Sequence, residues 1–284
     1  RLTSTLTNGP ADSLEQLSAR LFEGRRLTLA GVMQWQAGRN AETVATLEQA
    51  LRLVPGDPLA IHYLSQTRNS IGLTLLEGGQ TTQALGEFRR AAAVGSPSER
   101  ALALNNIGLQ YFSDDQPDSA RDYWQRAVDI EPDSPIIHYN LALVEEKLGR
   151  PLNAAGHYRT VIELEPENAG ALNNLAWILS QDVATAAEAV GFARRAVAVE
   201  PVDPYRDTLG WSLFQSGDMV LAEKIFRDIM LRAPDNLEAR FHLARLLIQK
   251  GQGPLARPLL DEVARRAKGQ PLGEQAAAEL KALR

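Results

Sequence analysis

The chain has 284 residues, a formal net charge of -5 and no cysteine, which excludes disulfides, thiolate metal sites and a cysteine nucleophile. With 30 Lys and Arg against 35 Asp and Glu there is no basic footprint of the kind that neutralises phosphates, so nucleic acid is not an expected partner. No run of about 18 apolar residues exists, and no segment of this chain is expected to insert into a membrane.

The first ten residues are polar and turn-rich and lack the apolar stretch of a signal peptide. The start at Arg1 rather than Met leads to the expectation of a processed or trimmed polypeptide, with a signal, lipid anchor or membrane helix ahead of it as open alternatives. Order is expected from near Asp12, where Ser13 with Gln16 forms a capping-box signature opening a helix through SLEQLSARLF. A first helical pair spans 24–57, with Gly38 at its turn and Asn40 placed to cap its second helix.

Asp57 and Pro58 restart the chain, and the extra residues that follow, IHYL among them, fit a helix starting early rather than a loop. Ser96 and Pro97 break the next junction. Asp115, Gly149, Gly217 and Gly251 mark turns between paired helices, while Pro117 and Pro151 suit first-turn positions. The fifth pair lacks a turn glycine, so its turn is placed at Gln181 and Asp182. After Gln270 the segment PLGEQAAAELKALR reads as a last helix, alanines on one side and Glu274, Glu279, Lys281 and Arg284 outward, serving as a polar-backed cap.

A fixed period runs through these elements. A small residue recurs as Gly31, Gly72, Gly108, Ala142, Ala176, Gly210 and Ala244, and from Gly108 onward each step is 34 residues. Ile107, Leu141, Leu175, Leu209 and Leu243 keep the same register one residue earlier. About half a repeat later come Ala84, Ala120, Ala154, Ala189, Ala222 and Ala256, five of them followed after four residues by bulky Phe88, Trp124, Tyr158, Phe226 and Leu260. Pro55, Pro132, Pro166, Pro201 and Pro234 close the units, since proline cannot continue a helix.

This helix-turn-helix-stop unit resembles the tetratricopeptide repeat (TPR) family. The cleanest copy is 101–134, with LNNIGLQYF followed by SARDYWQRAVDIEP; RRLTLAG, HYNLALVEE, LNNLAWILS, DTLGWSLFQ and RFHLARLLI are its relatives. Thr43 replaces the usual alanine of the first unit, Ala193 the bulky residue of the fifth, and Lys268 the last proline. The resemblance implies an all-α TPR solenoid of about seven repeats wound as a right-handed superhelix. Its expected divisions are an N-terminal segment and helix over 1–23, a solenoid over 24–270 and a C-terminal capping helix over 271–284.

Catalytic signatures are absent: there is no nucleophile elbow, Walker A loop, paired zinc histidines or dinucleotide fingerprint, and GQG at 251–253 is a turn. His62, His138, His157 and His242 stand alone without partners at ligand spacing, so neither metal nor cofactor is expected. The expected function is therefore non-enzymatic: a scaffold holding an extended peptide or helix of a protein partner in its concave groove.

In this family the first helix of each unit lines that groove. One slot there reads Ser70, Asn106, Asn140, Asn174, Thr208 and His242. An asparagine amide offers donors and an acceptor, so a ladder of them suits the backbone of an extended peptide; the alternative is that these amides bond neighbouring helices. On the first reading, replacing Asn106, Asn140 and Asn174 together with alanine weakens binding and leaves the melting temperature nearly intact. Asn69, Asn105 and Asn173 adjoin the ladder.

Three residues beyond the ladder slot, Trp177, Trp211 and Arg245 fall in register, and with Tyr139, Asp207 and Phe241 they form the expected hot spot, with packing of the indoles against the next helix as the alternative. Chaperone-tail members of the family clamp a carboxylate with lysines, and none stands in the corresponding positions here, leaving Arg25, Arg26 and Arg245 for isolated charge contacts.

The LNNLAWIL and DTLGW segments are similar to TPR proteins of bacterial exopolysaccharide export and pilus assembly, which places the expected location at the periplasm or envelope ahead of the cytoplasm. Two alternatives stay open. The chain is a targeting or oligomerising module of a larger enzyme, such as a glycosyltransferase, or of a secretion pore; or it is a homo-oligomer, the Asp12 to Phe22 helix of one copy filling the groove of another.

Overall fold

The structure, a computed structural model, describes residues 13–283. The polar start, the expected onset of order at Asp12, and Arg284 lie outside the described residues. Among the described residues there are fifteen α-helices and no strand. They are α1 (Leu14–Gln36), α2 (Asn40–Leu53), α3 (Pro58–Glu77), α4 (Thr81–Val94), α5 (Pro97–Ser113), α6 (Pro117–Val128), α7 (Pro135–Lys147) and α8 (Pro151–Leu164). There follow α9 (Ala169–Leu179), α10 (Ala186–Val199), α11 (Asp203–Gln215), α12 (Met219–Arg232), α13 (Leu237–Gln249), α14 (Gly253–Arg266) and α15 (Pro271–Ala282).

The chain divides into two units, one ending at Asn140 and one beginning at Leu141. In the first, each helix from α1 to α6 packs on the next, and the first helices of successive pairs also touch, α1 on α3 and α3 on α5. The second unit repeats this scheme from α8 to α15, with α9 on α11 and α11 on α13. This is the TPR solenoid arrangement, in which neighbouring repeats supply the core that none could build alone.

The sequence period has a direct packing cause. Each small slot receives the bulky residue sixteen positions later. A Cβ on Gly31 would lie 2.4 Å from Leu47 Cδ2, on Gly72 2.5 Å from Phe88 Cε1, on Gly108 2.5 Å from Trp124 Nε1 and on Gly210 2.7 Å from Phe226 Cε1. These bulky side chains are fully buried, as are Tyr158 and Leu260 beside the alanine slots. In the fifth pair the offset slips by one. There Ala193 is buried and Phe192 is half-buried, its ring facing Arg159 and Arg195.

Turns fall where the sequence puts them. Gly38, Gly79, Gly149, Gly217 and Gly251 take positive φ, and Asp115 does the same job at φ 58° in the third pair. Asp115 closes α5 because a short polar side chain tolerates the left-handed region better than most. At the fifth turn Asp182 Oδ1 accepts from Ala184 N at 2.9 Å, and α10 begins at Ala186.

Two details differ from the sequence reading. The helix opened by Ser13 does not end before the first repeat but continues as one 23-residue helix, α1, because nothing after Phe22 interrupts it. Asn40 is the first residue of α2 rather than its cap, which falls on Arg39 without a side-chain bond. Asn236 caps α13, its Oδ1 accepting from Ala239 N at 2.9 Å, while Asp235 pairs with Arg266. The early start of α3 is present: its 20 residues carry buried Arg68, which bridges Glu48 on α2 and Glu87 on α4.

Candidate functional site

In the first unit the expected amide ladder is largely consumed by the protein itself. Asn105 and Asn140 are buried, and Asn140 Nδ2 donates to Asn105 Oδ1 at 2.8 Å. Asn69 is buried and accepts a long contact of 3.5 Å from half-buried Asn106. Tyr139 is half-buried. The reading of these asparagines as free peptide-binding groups is therefore corrected for Asn69, Asn105 and Asn140: successive first helices approach closely enough for their amides to bond to each other.

In the second unit Asn173 and Asn174 on α9 are half-buried. Asn173 donates to Asn174 Oδ1 at 3.2 Å, and Asn174 Nδ2 donates to the Tyr158 hydroxyl at 2.9 Å. That hydroxyl in turn donates to Glu146 Oε1 at 2.6 Å. Asn174 thus ties α9 to α8, while the Asn173 Oδ1 is buried without a partner.

The other predicted residues of this unit come together. Trp177 on α9, Trp211 on α11, Phe241, His242 and Arg245 on α13, with Gln181, Gln275, Ala278 and Glu279, line a cleft of about 510 Å3. The two indoles lie 6.3 Å apart between centroids, and the His242 ring sits 4.6 Å from that of Trp211. Trp177 is 37% exposed, whereas Trp211 and Phe241 are buried at 3% and 4%. The indoles accordingly divide the two readings between them: Trp211 is wall and Trp177 is surface.

Charge is placed on this wall with definite geometry. The Arg245 guanidinium carbon stands 4.9 Å from the centroid of Trp211 and 6.0 Å from that of Phe241. Stacking on an indole orients the planar cation without neutralising it. Arg245 Nε also lies 3.3 Å from Glu279 Oε1. Beneath the rings, Asp207 and His242 are both buried and joined at 2.8 Å between Oδ2 and Nδ1. Asp207 is therefore a buried partner of a histidine rather than a groove contact.

Two sequence readings change here. His242 is not alone, and neither is His62, whose Nδ1 lies 2.6 Å from Glu99 Oε1. Glu279 does not point away from the solenoid: it continues the row of Trp177, Trp211 and Arg245 at the same 34-residue step and closes the cleft from α15. That step was legible in the sequence, but the polar pattern of the segment drew it toward a cap. Among the described residues no three metal-ligating side chains converge, and no helix is long and apolar enough to cross a membrane.

Comparison with known proteins agrees with this architecture. Tetratricopeptide repeat family models match residues 70–135, 107–161, 139–204 and 213–280. The chain is 27% identical over 209 residues to a TPR repeat-containing protein of Pseudomonas aeruginosa, a match covering 73% of this chain and 34% of that one. It is 26% identical over 277 residues to cellulose synthase operon protein C of Pseudomonas fluorescens, covering 88% and 22% respectively. The chain thus spans about a third or less of the length of these curated relatives.

Among solved structures, MamA 41-end from Desulfovibrio magneticus RS-1 superposes with a TM-score of 0.53 at 17% identity, covering 60% of this chain and 97% of that one. PilF of Pseudomonas aeruginosa superposes with a TM-score of 0.51 at 17% identity, covering 78% and 97%. At such identities the likeness speaks for the fold alone. On repeat period, packing and family match together, the chain belongs to the tetratricopeptide repeat family.

Proposed function

We propose that the chain is a non-enzymatic protein-interaction scaffold whose principal contact is the aromatic cleft of the second unit, seating an extended segment or a helix of a protein partner. The observation that carries this reading is the exposed indole of Trp177 beside a guanidinium stacked on Trp211. An exposed aromatic gives an apolar side chain a flat surface at low entropic cost, and an oriented arginine fixes direction. Half-buried Asn173 and Asn174 extend the contact along α9. Asn106 and Tyr139 are the corresponding groups of the first unit.

Selection of 12-residue peptides from a displayed random library against the purified chain tests this directly. Binders should lose affinity on Trp177→Ala or Arg245→Ala, with unchanged helical circular dichroism, and keep it on Leu152→Ala at an exposed site of α8. Binders indifferent to both cleft substitutions would refute the assignment.

A role in bacterial envelope assembly or exopolysaccharide secretion is part of this proposal. It rests on the likeness of the LNNLAWIL and DTLGW segments and on the relative named for a cellulose synthase operon. The short share of both curated relatives that is matched favours a second reading, in which this solenoid is the targeting or oligomerising module of a larger enzyme or secretion pore.

A further inference from the structure

In the row Trp177, Trp211, Arg245 and Glu279, spaced by 34 residues, a member is completed by the one that follows it. Arg245 stacks on Trp211 at 4.9 Å, and Glu279 pairs with Arg245 Nε at 3.3 Å. Trp177 is the exception. Its successor is a second indole, inclined at 39° with the ring centroids 6.3 Å apart, and 37% of Trp177 stays open to solvent where Trp211 keeps 3%. Among the described residues no cation of the chain itself stacks on Trp177.

The groups around that open indole favour a cation over an anion. Among the described residues lining the cleft, Arg245 supplies the one guanidinium or ammonium, and it is engaged on two sides, by the Trp211 ring and by the Glu279 carboxylate. Asp207 lies beneath, shared with His242. An incoming carboxylate would have to compete with Glu279 for Arg245 and would meet two like charges, Glu279 and Asp207, in a partly desolvated cleft. The acceptors, by contrast, are only partly used. Glu279 reaches Arg245 through Oε1 and leaves Oε2 over, and Gln181, one turn beyond Trp177, gives its amide nitrogen to Trp177 O at 3.1 Å and Ser180 Oγ at 3.4 Å, which leaves its Oε1 as an acceptor. An indole face attracts a cation through the ring quadrupole, more strongly than Tyr or Phe does.

We propose that the partner segment is anchored in this cleft by a basic side chain, whose cation lies over the exposed face of Trp177 with Gln181 Oε1 as acceptor and the Glu279 carboxylate across the cleft. This anchor presupposes the cleft as the partner's seat and adds the chemistry that the seat selects. Arginine fits better than lysine, because a planar guanidinium repeats on Trp177 the stacking that Arg245 makes on Trp211 and presents several donors to the acceptors beside it. With the anchor in place both indoles carry a cation, one from the chain and one from the partner.

The displayed 12-residue peptides whose binding is lost on Trp177→Ala should share an Arg or Lys. Resynthesis with citrulline at that Arg, or norleucine at that Lys, keeps the length and sheds the charge, and should weaken binding about fivefold or more. Against Trp177→Leu, with its helical circular dichroism unchanged, the charged and neutral peptides should bind alike, whereas a basic residue acting elsewhere would keep its advantage. Glu279→Gln should weaken the charged peptide and leave the neutral one nearly unchanged. Cleft binders with no basic residue in common, or a neutral peptide equal to the charged one on the wild-type chain, would overturn the anchor while leaving the cleft as the partner's seat. Cleft binders that share an Asp or Glu and are lost on Arg245→Ala would overturn it in favour of a carboxylate. Binders indifferent to both Trp177→Ala and Arg245→Ala would remove the seat, and the anchor with it.

Discussion

Replacing Asn140 with alanine separates a structural amide from a ligand-binding one. Asn140 and Asn105 are 7% and 5% exposed, and a single 2.8 Å bond joins them. Truncation removes that bond and strands the Asn105 carbonyl oxygen where water does not reach, which costs about 1–3 kcal/mol. Urea unfolding followed by circular dichroism should register this loss for Asn140→Ala, and Asn105→Ala should behave alike. Because the double variant removes both partners, its loss should fall short of the sum of the singles by about 0.5 kcal/mol or more. The triple replacement of Asn106, Asn140 and Asn174 should then lower the melting temperature, contrary to the sequence expectation, since Asn174 also holds the Tyr158 hydroxyl. Additive single effects, or an unchanged midpoint for Asn140→Ala, would refute the reasoning.

Gly108→Ala should destabilise by about 1–3 kcal/mol, as the new Cβ collides with the fully buried Trp124. Gly156→Ala, with nothing within 4 Å, should stabilise α8 by about 0.5–1 kcal/mol through helix propensity and a less flexible unfolded chain; denaturation midpoints moving in the same direction for both would contradict the packing account. Hydrogen bonds from Lys250 and then Arg227 hold the Glu223 carboxyl below its ordinary value of 4.5. A lowered folded-state pKa adds stability above the unfolded value that disappears as pH falls through the folded one. The melting-temperature gap between the wild-type chain and Glu223→Gln should thus be full at neutral pH and shrink below about pH 4.5, and a gap constant down to pH 3 would argue against the pairing.

The repeat, its helix pairs and their turns were legible in the sequence because each depends on contacts that recur at a fixed separation. Gly108 must be small because Trp124 follows it sixteen residues later, and the same arithmetic holds for Gly72 with Phe88 and Gly210 with Phe226. Periodicity records such contacts once per unit, so a single chain displays them several times over. The continuity of α1 through the first repeat was less visible, since both halves read as helix and only the missing break joins them.

The tertiary structure alone decided which groove residues are free. Asn105 and Asn173 occupy equivalent positions, yet Asn105 is buried and accepts from Asn140 whereas Asn173 is half-buried and bonds only to its neighbour Asn174, because the residue 35 positions on is Asn140 in one case and Thr208, whose hydroxyl donates to Pro204 O, in the other. Trp177 and Trp211 are likewise the same residue in the same slot, and only the packing of His242 and Arg245 over the second makes it wall rather than surface. Repetition fixes where a side chain starts. What covers it is set by the next helix, whose side chains differ from repeat to repeat.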